Sequence, residues 1–249
     1  LLIELRATKR KELTKLGRKI ARFPMDPRLA ASLISAPDFG SLTELLTLVS
    51  FLSLQDIRER PIEHAHKADE AHQKFVDARS DFLTILKMWD WVETVKREES
   101  KSSFKKTLKK NFLNFRRTVE WSETRDQLAR ICKTLGLKAN TDKASYRAIH
   151  LPMIIGNLSN LARLKDRTQY QGARNQSLMI FPGSGLFKKK HAWIVSTEII
   201  ETSRIYARDA ASIRPSWVEQ CSKHLQKERF DDPHWSKKRG EVMGYQTVS

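Results

Sequence analysis

At about residue 164 the spacing of apolar side chains changes from helical to alternating, and that change restricts the chain to one class of architecture. Upstream, Leu29, Leu33 and Ile34 fall on one helix face, as do Leu42, Leu45, Leu46, Val49 and Leu52, and again Phe82, Ile85, Leu86 and Trp89. Downstream, two runs of strand character, Ser177–Phe181 and Trp193–Ile200, flank Pro182-Gly183-Ser184-Gly185, whose glycines suit a turn. The expectation is an α+β chain, an all-helical bundle followed by a small β-barrel, with the boundary near Leu164. The two runs themselves read as a hairpin-like unit around a tight loop.

The helix limits follow from local chemistry. Asp26 can cap a helix that Pro27 opens, and Ser41 with Glu44 forms a capping-box pattern. Gly17 reads as the end of a helix that includes Thr14–Arg18, and Gly136 as the end of one carrying Trp121, Leu128, Ile131, Cys132 and Leu135. Between Lys96 and Arg117 nine basic residues face two acidic ones, with Phe104, Leu108, Phe112 and Phe115 at helical spacing. This reads as a basic amphipathic helix. It suits a membrane surface, a partner groove, or a packed helix whose outer face meets phosphates; the last is favoured, because the next helix continues the apolar stripe. Thr141 or Asp142 begins a further helix through Ile149, Pro152 breaks or restarts it, and Pro215 introduces a short one with Trp217, Val218, Cys221 and Leu225.

Charge then narrows the partner. The 249 residues carry a net charge of +17, with a pI near 10.0, which points to RNA, DNA or an anionic membrane. Membrane is the weaker choice, since no apolar run approaches the roughly 18 residues a span requires. Nothing resembles a signal peptide, so the default compartment is the cytoplasm. No carboxylate lies between Asp166 and Glu198, whereas Arg167, Arg174, Lys188, Lys189 and Lys190 do, a patch that attracts phosphate without internal competition.

Chemistry of other kinds finds little support. His64, His66 and His72 do not converge on one helical face and have no cysteine near, so no metal site is expected; Cys132 and Cys221 read as buried thiols. Gly183-Ser184-Gly185-Leu186-Phe187-Lys188 is not a phosphate loop, because its second glycine comes too early and Lys188 is followed by lysine. Ser184 does not sit in Gly-x-Ser-x-Gly, and no acid and base are paired by spacing. No catalytic residue is assigned. What remains is an OB-type barrel that holds single-stranded nucleic acid by phosphate contacts and stacking. Among Tyr170, Phe181 and Phe187, Tyr170 is the favoured stacking ring, because its neighbours on both sides are polar.

Three stretches resemble one family in the same order. Leu13-Thr14-Lys15-Leu16-Gly17-Arg18 with Phe23-Pro24-Met25-Asp26-Pro27-Arg28-Leu29-Ala30 is similar to the end of the winged-helix domain of DEAH-box RNA helicases. Leu52–Pro61 and Asp81-Phe82-Leu83 resemble the ratchet domain. Phe181–Phe187, Glu201-Thr202-Ser203-Arg204 and Ile213–Val218 resemble the OB-fold of the HrpA-type bacterial members. The resemblance implies a winged-helix end at 1–40, a ratchet domain at 41–163 and an OB-fold at 164–249, cut short at its C-terminus. It implies an RNA-gripping region of a 3′ to 5′ helicase, acting as a monomer with upstream RecA-like domains that bind ATP and Mg²⁺. This chain carries no phosphate loop; the tetrapeptide Asp69-Glu70-Ala71-His72 occurs, but inside the stretch assigned to the ratchet domain and with no phosphate loop before it. It begins without Met and ends in the alternating run Val242–Val248, so it reads as part of a longer chain. By carry-over Ser184 and Lys188, Lys189 and Lys190 match an RNA-facing loop, and Thr202, Ser203 and Arg204 a second one. Arg174 joins them on charge, and Arg58 and Arg60 are either RNA contacts or cross-domain ties. The rival readings are a stand-alone RNA-binding or ribosome-associated adaptor without a motor, and a membrane-surface protein.

Overall fold

A computed structural model describes residues 1–225, together with the backbone of two strands beyond them. The chain opens with a hairpin of β1 (Thr8–Lys9) and β2 (Glu12–Leu13), turned through Arg10 and Lys11 at φ 50° and 69°. Left-handed backbone at two long cationic residues is uncommon, and without an Asn-Gly signal the hairpin is invisible to pattern reading. Helix α1 (Lys15–Ile20) follows, capped by the Thr14 hydroxyl. Gly17 does not end it. The glycine lies inside the helix, where an added Cβ would fall 2.0 Å from the Ala7 carbonyl oxygen, so its role is close approach to the hairpin.

Helix α2 (Pro27–Ser35) starts as expected, with the Asp26 carboxylate accepting from the Arg28 amide at 2.7 Å. Helix α3 (Leu42–Leu52) is buried along most of its length. Its capping box does not form: the Ser41 hydroxyl donates to the Ala36 carbonyl, while Glu44 accepts from Asn140 and the Ala144 amide about a hundred residues away. Helices α4 (Ala65–Gln73), α5 (Asp81–Glu98), α6 (Lys101–Lys110) and α7 (Phe115–Thr134) complete the first half. The basic stretch from Lys96 is therefore not one helix. It spans the end of α5, all of α6 and the start of α7, and Phe112 sits in the turn at φ 52°. The favoured packing partner is correct: Phe104 and Phe115 meet edge to face at 5.9 Å. Gly136 closes α7 at φ 72°. Helix α8 (Tyr146–Gly156) begins at the Ser145 cap, not at Thr141 or Asp142, and Pro152 lies inside it.

The barrel begins at β3 (Leu161–Asp166) and continues through β4 (Gln169–Gln171), β5 (Ser177–Ile180), β6 (Trp193–Glu201) and β7 (Ile205–Ile213). It closes in the order β3-β4-β5-β7-β6. The expected hairpin of β5 and β6 is absent. β5 pairs antiparallel with β4 and parallel with β7, while β6 pairs with β3 and β7, so the Pro182–Gly185 segment is a crossover between non-neighbouring strands. Helix α9 (Pro215–Ser222) follows, and β8 (Glu228–Ser236) pairs with β9 (Glu241–Val248), which holds the alternating run. Among the described residues no helix is long and apolar enough to cross a membrane.

Among the described residues two cores form. One lies inside the barrel, with Ala162, Tyr170, Leu178, Ile180, Leu186, Ile194, Ala207 and Ala210. The other runs from Leu5 and Phe23 through the helices to Val195, Ala211, Ile213 and Trp217, so one wall of the barrel belongs to the helical core. Trp121, fully buried, anchors its centre with its ring nitrogen donating to the Thr47 carbonyl at 3.0 Å.

Candidate nucleic-acid interface

The barrel, the start of α2 and the segment after α3 enclose a cleft of about 660 Å³. Arg28, Arg58, Arg117 and Arg208 line it together with Asp26, Asp56, Glu198 and Asp209. Two of its sides share one local design. In Asp26-x-Arg28 and Asp56-x-Arg58 the carboxylate accepts from the amide two residues on and holds the same residue's guanidinium, Arg28 at 2.8 Å and Arg58 at 2.6 Å. Such turns aim a guanidinium without long side-chain packing. Burial pushes the Asp56 carboxyl up, but the Arg58 charge and hydrogen bonds outweigh it and hold its pKa below the usual range. Arg117 donates to the Asp56 carbonyl at 2.9 Å, and Arg208 lies 3.6 Å from Glu198.

Asp209 stands out in this set. It has positive φ, 49°, and the pairing of β6 with β7 lapses at Thr197 and Asp209 without a change of register. Burial, then the neighbouring Asp81, push its pKa up to about 6, against the pull of Arg208 and Arg58. From Arg208 the cleft opens onto the outer barrel. The Arg208 guanidinium lies 5.9 Å from the Phe181 ring, which meets Tyr206 edge to face at 6.1 Å. Phe181 is 37% exposed, so a ring and a cation lie together at the surface, as a stacked base with its phosphate requires.

The same wall carries the joint between barrel and helices. Asp81, the first residue of α5, is 8% exposed and accepts from the Ser184 hydroxyl at 2.6 Å, the Gly185 amide at 2.9 Å and the Ala210 amide at 2.9 Å. Burial raises its pKa nonetheless. Gly185 presses so closely on α5's approach that an added Cβ would lie 2.2 Å from the Asp77 carbonyl oxygen. Next to it Ser80 caps α5 and bonds to His150 Nε2 at 2.7 Å, while His150 Nδ1 lies 2.6 Å from the Tyr146 carbonyl. A carbonyl only accepts, so Nδ1 carries the proton and the Ser80 hydroxyl donates to Nε2.

The residues singled out from sequence fall into three groups. Arg174, Lys188, Lys189 and Lys190, and the β6–β7 tip of Thr202, Ser203 and Arg204, are exposed, and none of these cations has a carboxylate within ion-pair distance among the described residues. Arg58 lines the cleft, whereas Arg60 is bound to Asp69 on α4, outside it, at 2.7 Å. Two assignments need correction. Tyr170 is 1% exposed and fills the barrel, its hydroxyl accepting from the His191 amide at 3.2 Å, so its ring offers no stacking face. Ser184 uses its hydroxyl on Asp81 instead of facing outward. Sequence reasoning missed Arg28, Arg117, Arg208, Asp209 and Asp81. The repeated Asp-x-Arg spacing, present again at Asp77 and Arg79, was the available signal for part of the set.

Comparison with known proteins gives a consistent picture. Residues 26–85 match the model of the helicase associated domain, ratchet-like, and residues 149–225 that of the oligonucleotide/oligosaccharide-binding (OB)-fold. The chain is 39% identical over 248 residues to the ATP-dependent RNA helicase HrpA homolog of Haemophilus influenzae, covering 99% of this chain and 19% of that protein. It is 39% identical over 239 residues to the ATP-dependent RNA helicase HrpA of Escherichia coli, covering 96% and 18%. To the human ATP-dependent RNA helicase DHX33 it is 27% identical over 211 residues, covering 84% and 29%. The chain thus spans about a fifth of the length of the HrpA relatives it matches.

Proposed function

The chain belongs to the family that joins a helicase-associated ratchet-like domain to an OB-fold, and on that premise we propose that it is the RNA-gripping accessory region of an ATP-dependent 3′ to 5′ DEAH-box RNA helicase. The observation that carries the reading is the continuous path from the arginine-lined cleft, past Arg208, to the exposed Phe181 ring. A single strand laid along it meets guanidinium forks for its phosphates and a ring for one base, contacts that any sequence can make. Lys188, Lys189, Lys190, Arg174 and Arg204 add exposed positive charge that has no ion-pair partner among the described residues.

The chain supplies no chemistry in this reading. Gly183–Lys188 does not fit the phosphates of ATP, because it lacks the spacing and the hydroxyl of a phosphate loop. Among the described residues no group of His, Cys, Asp and Glu is placed to hold a metal ion. Nucleotide hydrolysis belongs to RecA-like domains, and this region turns their motion into movement of a held strand.

Titration of single-stranded oligouridylate and oligoadenylate against the chain at several salt concentrations tests this. Both should bind. Lys188→Ala should weaken both alike and flatten the logarithmic salt slope by about 0.7, the share of one phosphate contact on a single strand. A loss confined to one sequence, or no binding by the parent chain, contradicts the assignment.

A further inference from the structure

A second cleft, of about 620 Å³, shares no lining residue with the first. It lies where α8 and α9 both begin, against the end of β7 and the segment before α5. Arg79, Arg147 and Arg214 line it with Ser145, Tyr146 and Trp217, and among the described residues no acidic side chain does. The contrast with the first cleft is one of charge. There each arginine lies near a carboxylate or a carbonyl; here Arg79 lies 5.0 Å from the Tyr146 ring, Arg214 lies 5.9 Å from the Trp217 ring, and Arg147 donates to the neutral Gln220 side chain at 2.7 Å. The acids on the adjoining segments, Asp77 and Glu219, do not line it; Asp77 is bound to Lys87 and to the Arg79 amide.

Among the described residues, Arg79 of the three has a carboxylate acting on it, that of Asp77, which Lys87 already holds; three guanidinium groups so placed repel one another, and a structure holds them at a cost unless an anion joins them. The backbone adds to the same field. Both helices point their N-termini into the cleft, α9 without a side-chain cap. Planar forks with free N–H groups match phosphate oxygens.

We propose that this cleft is a second RNA site, holding the phosphates of a strand segment outside the first cleft and independently of it. The identity of the strand rests on the RNA reading above; the site rests on its own lining.

The test compares the parent chain with Arg147→Ala/Arg214→Ala on 4-thiouridine-labelled oligouridylate, by titration and by mapping photo-crosslinks. Neither arginine lies in the first cleft. The double variant is expected to bind about tenfold more weakly, with a salt slope smaller by about 1.4 for two lost single-strand contacts. Crosslinks in the parent should include 145–147 or 214–217, a readout that stands even if the variant folds poorly. Unchanged affinity and slope in a folded variant, with no crosslink in either segment, overturns this proposal alone. Displacement of the crosslinks by an acidic peptide but not by excess unlabelled RNA overturns it in favour of a protein partner. Absence of RNA binding by the parent chain overturns both this site and the function it rests on.

Discussion

At the scale of single residues, the decisive group is Asp81. Three donors, two from the crossover and one from β7, end on one carboxylate at the start of a helix. Replacing it with alanine leaves buried donors without an acceptor, and we expect a loss of about 3 kcal/mol, read by urea denaturation. Ser184→Ala removes one donor and should cost about 1 kcal/mol while leaving RNA affinity unchanged, which separates a joint from an RNA contact. A fall in affinity at constant stability would restore the outward-facing role that the sequence suggested. Tyr170→Phe should likewise lower stability by about 1 kcal/mol without changing RNA binding, because its hydroxyl accepts from a backbone amide inside the barrel. The misreading of Tyr170 is instructive. Polar neighbours on both sides of a ring mean exposure on a loop, but on a strand they mean that the ring alone faces inward, as the pairing of Tyr170 with Leu164 and Leu178 shows. Phe181 follows the inward-facing Ile180, just past the end of β5, and so turns out.

At the scale of elements, helices bounded by local caps were legible, and the breaks inside the basic stretch and the connections were not. Asp26, Pro27 and Gly136 act within one turn of the chain, so their caps could be read from sequence. Ser41 and Glu44 could not, because Asn140 and Ala144 compete for Glu44 from the far side of the bundle. Strand neighbours in the barrel are likewise set by closure, which pairs β5 with β7 in parallel and leaves no local trace. Charge placement on these elements makes a pH prediction. Asp209 on β7 faces Asp81, Asp56, Arg208 and Arg58, and its folded pKa of about 6 lies above the unfolded 3.8. A raised carboxylate pKa means that the folded state binds more protons between those values, so the ionised group weakens the fold as pH rises through about 6. Asp209→Asn should therefore stabilise the chain by about 2 kcal/mol at pH 7, and the gain should vanish near pH 3.8. RNA affinity of the variant should also rise at neutral pH, since the cleft loses a negative charge. A gain in stability independent of pH would contradict the assignment. His150 works in the opposite sense: burial holds its pKa at about 4, below the unfolded 6.5, so its contribution is present above that value and is lost as pH falls toward about 4.

At the scale of the whole molecule, the barrel and helices share a hydrophobic core, with Val195, Ala211 and Ile213 packed among helical residues. The β7 backbone extends the joint, for the Ser212 amide donates to the Arg79 carbonyl at 2.8 Å and Ala211 bridges Ser80. A change of period in the sequence marked where strands begin, three residues before Leu164, but could not reveal that the two parts share one core. A shared core suits the proposed grip, since a cleft between loosely tethered domains would open under load. The central claim, that the first cleft and its rim hold the RNA strand, is tested most directly by mapping where single-stranded RNA crosslinks to the chain. The account predicts adducts within residues 51–58 and 197–208 and at Phe181. Adducts confined to the exposed lysines of α6, with none along the cleft, would mean that RNA is held by solvated charge alone, and would contradict it.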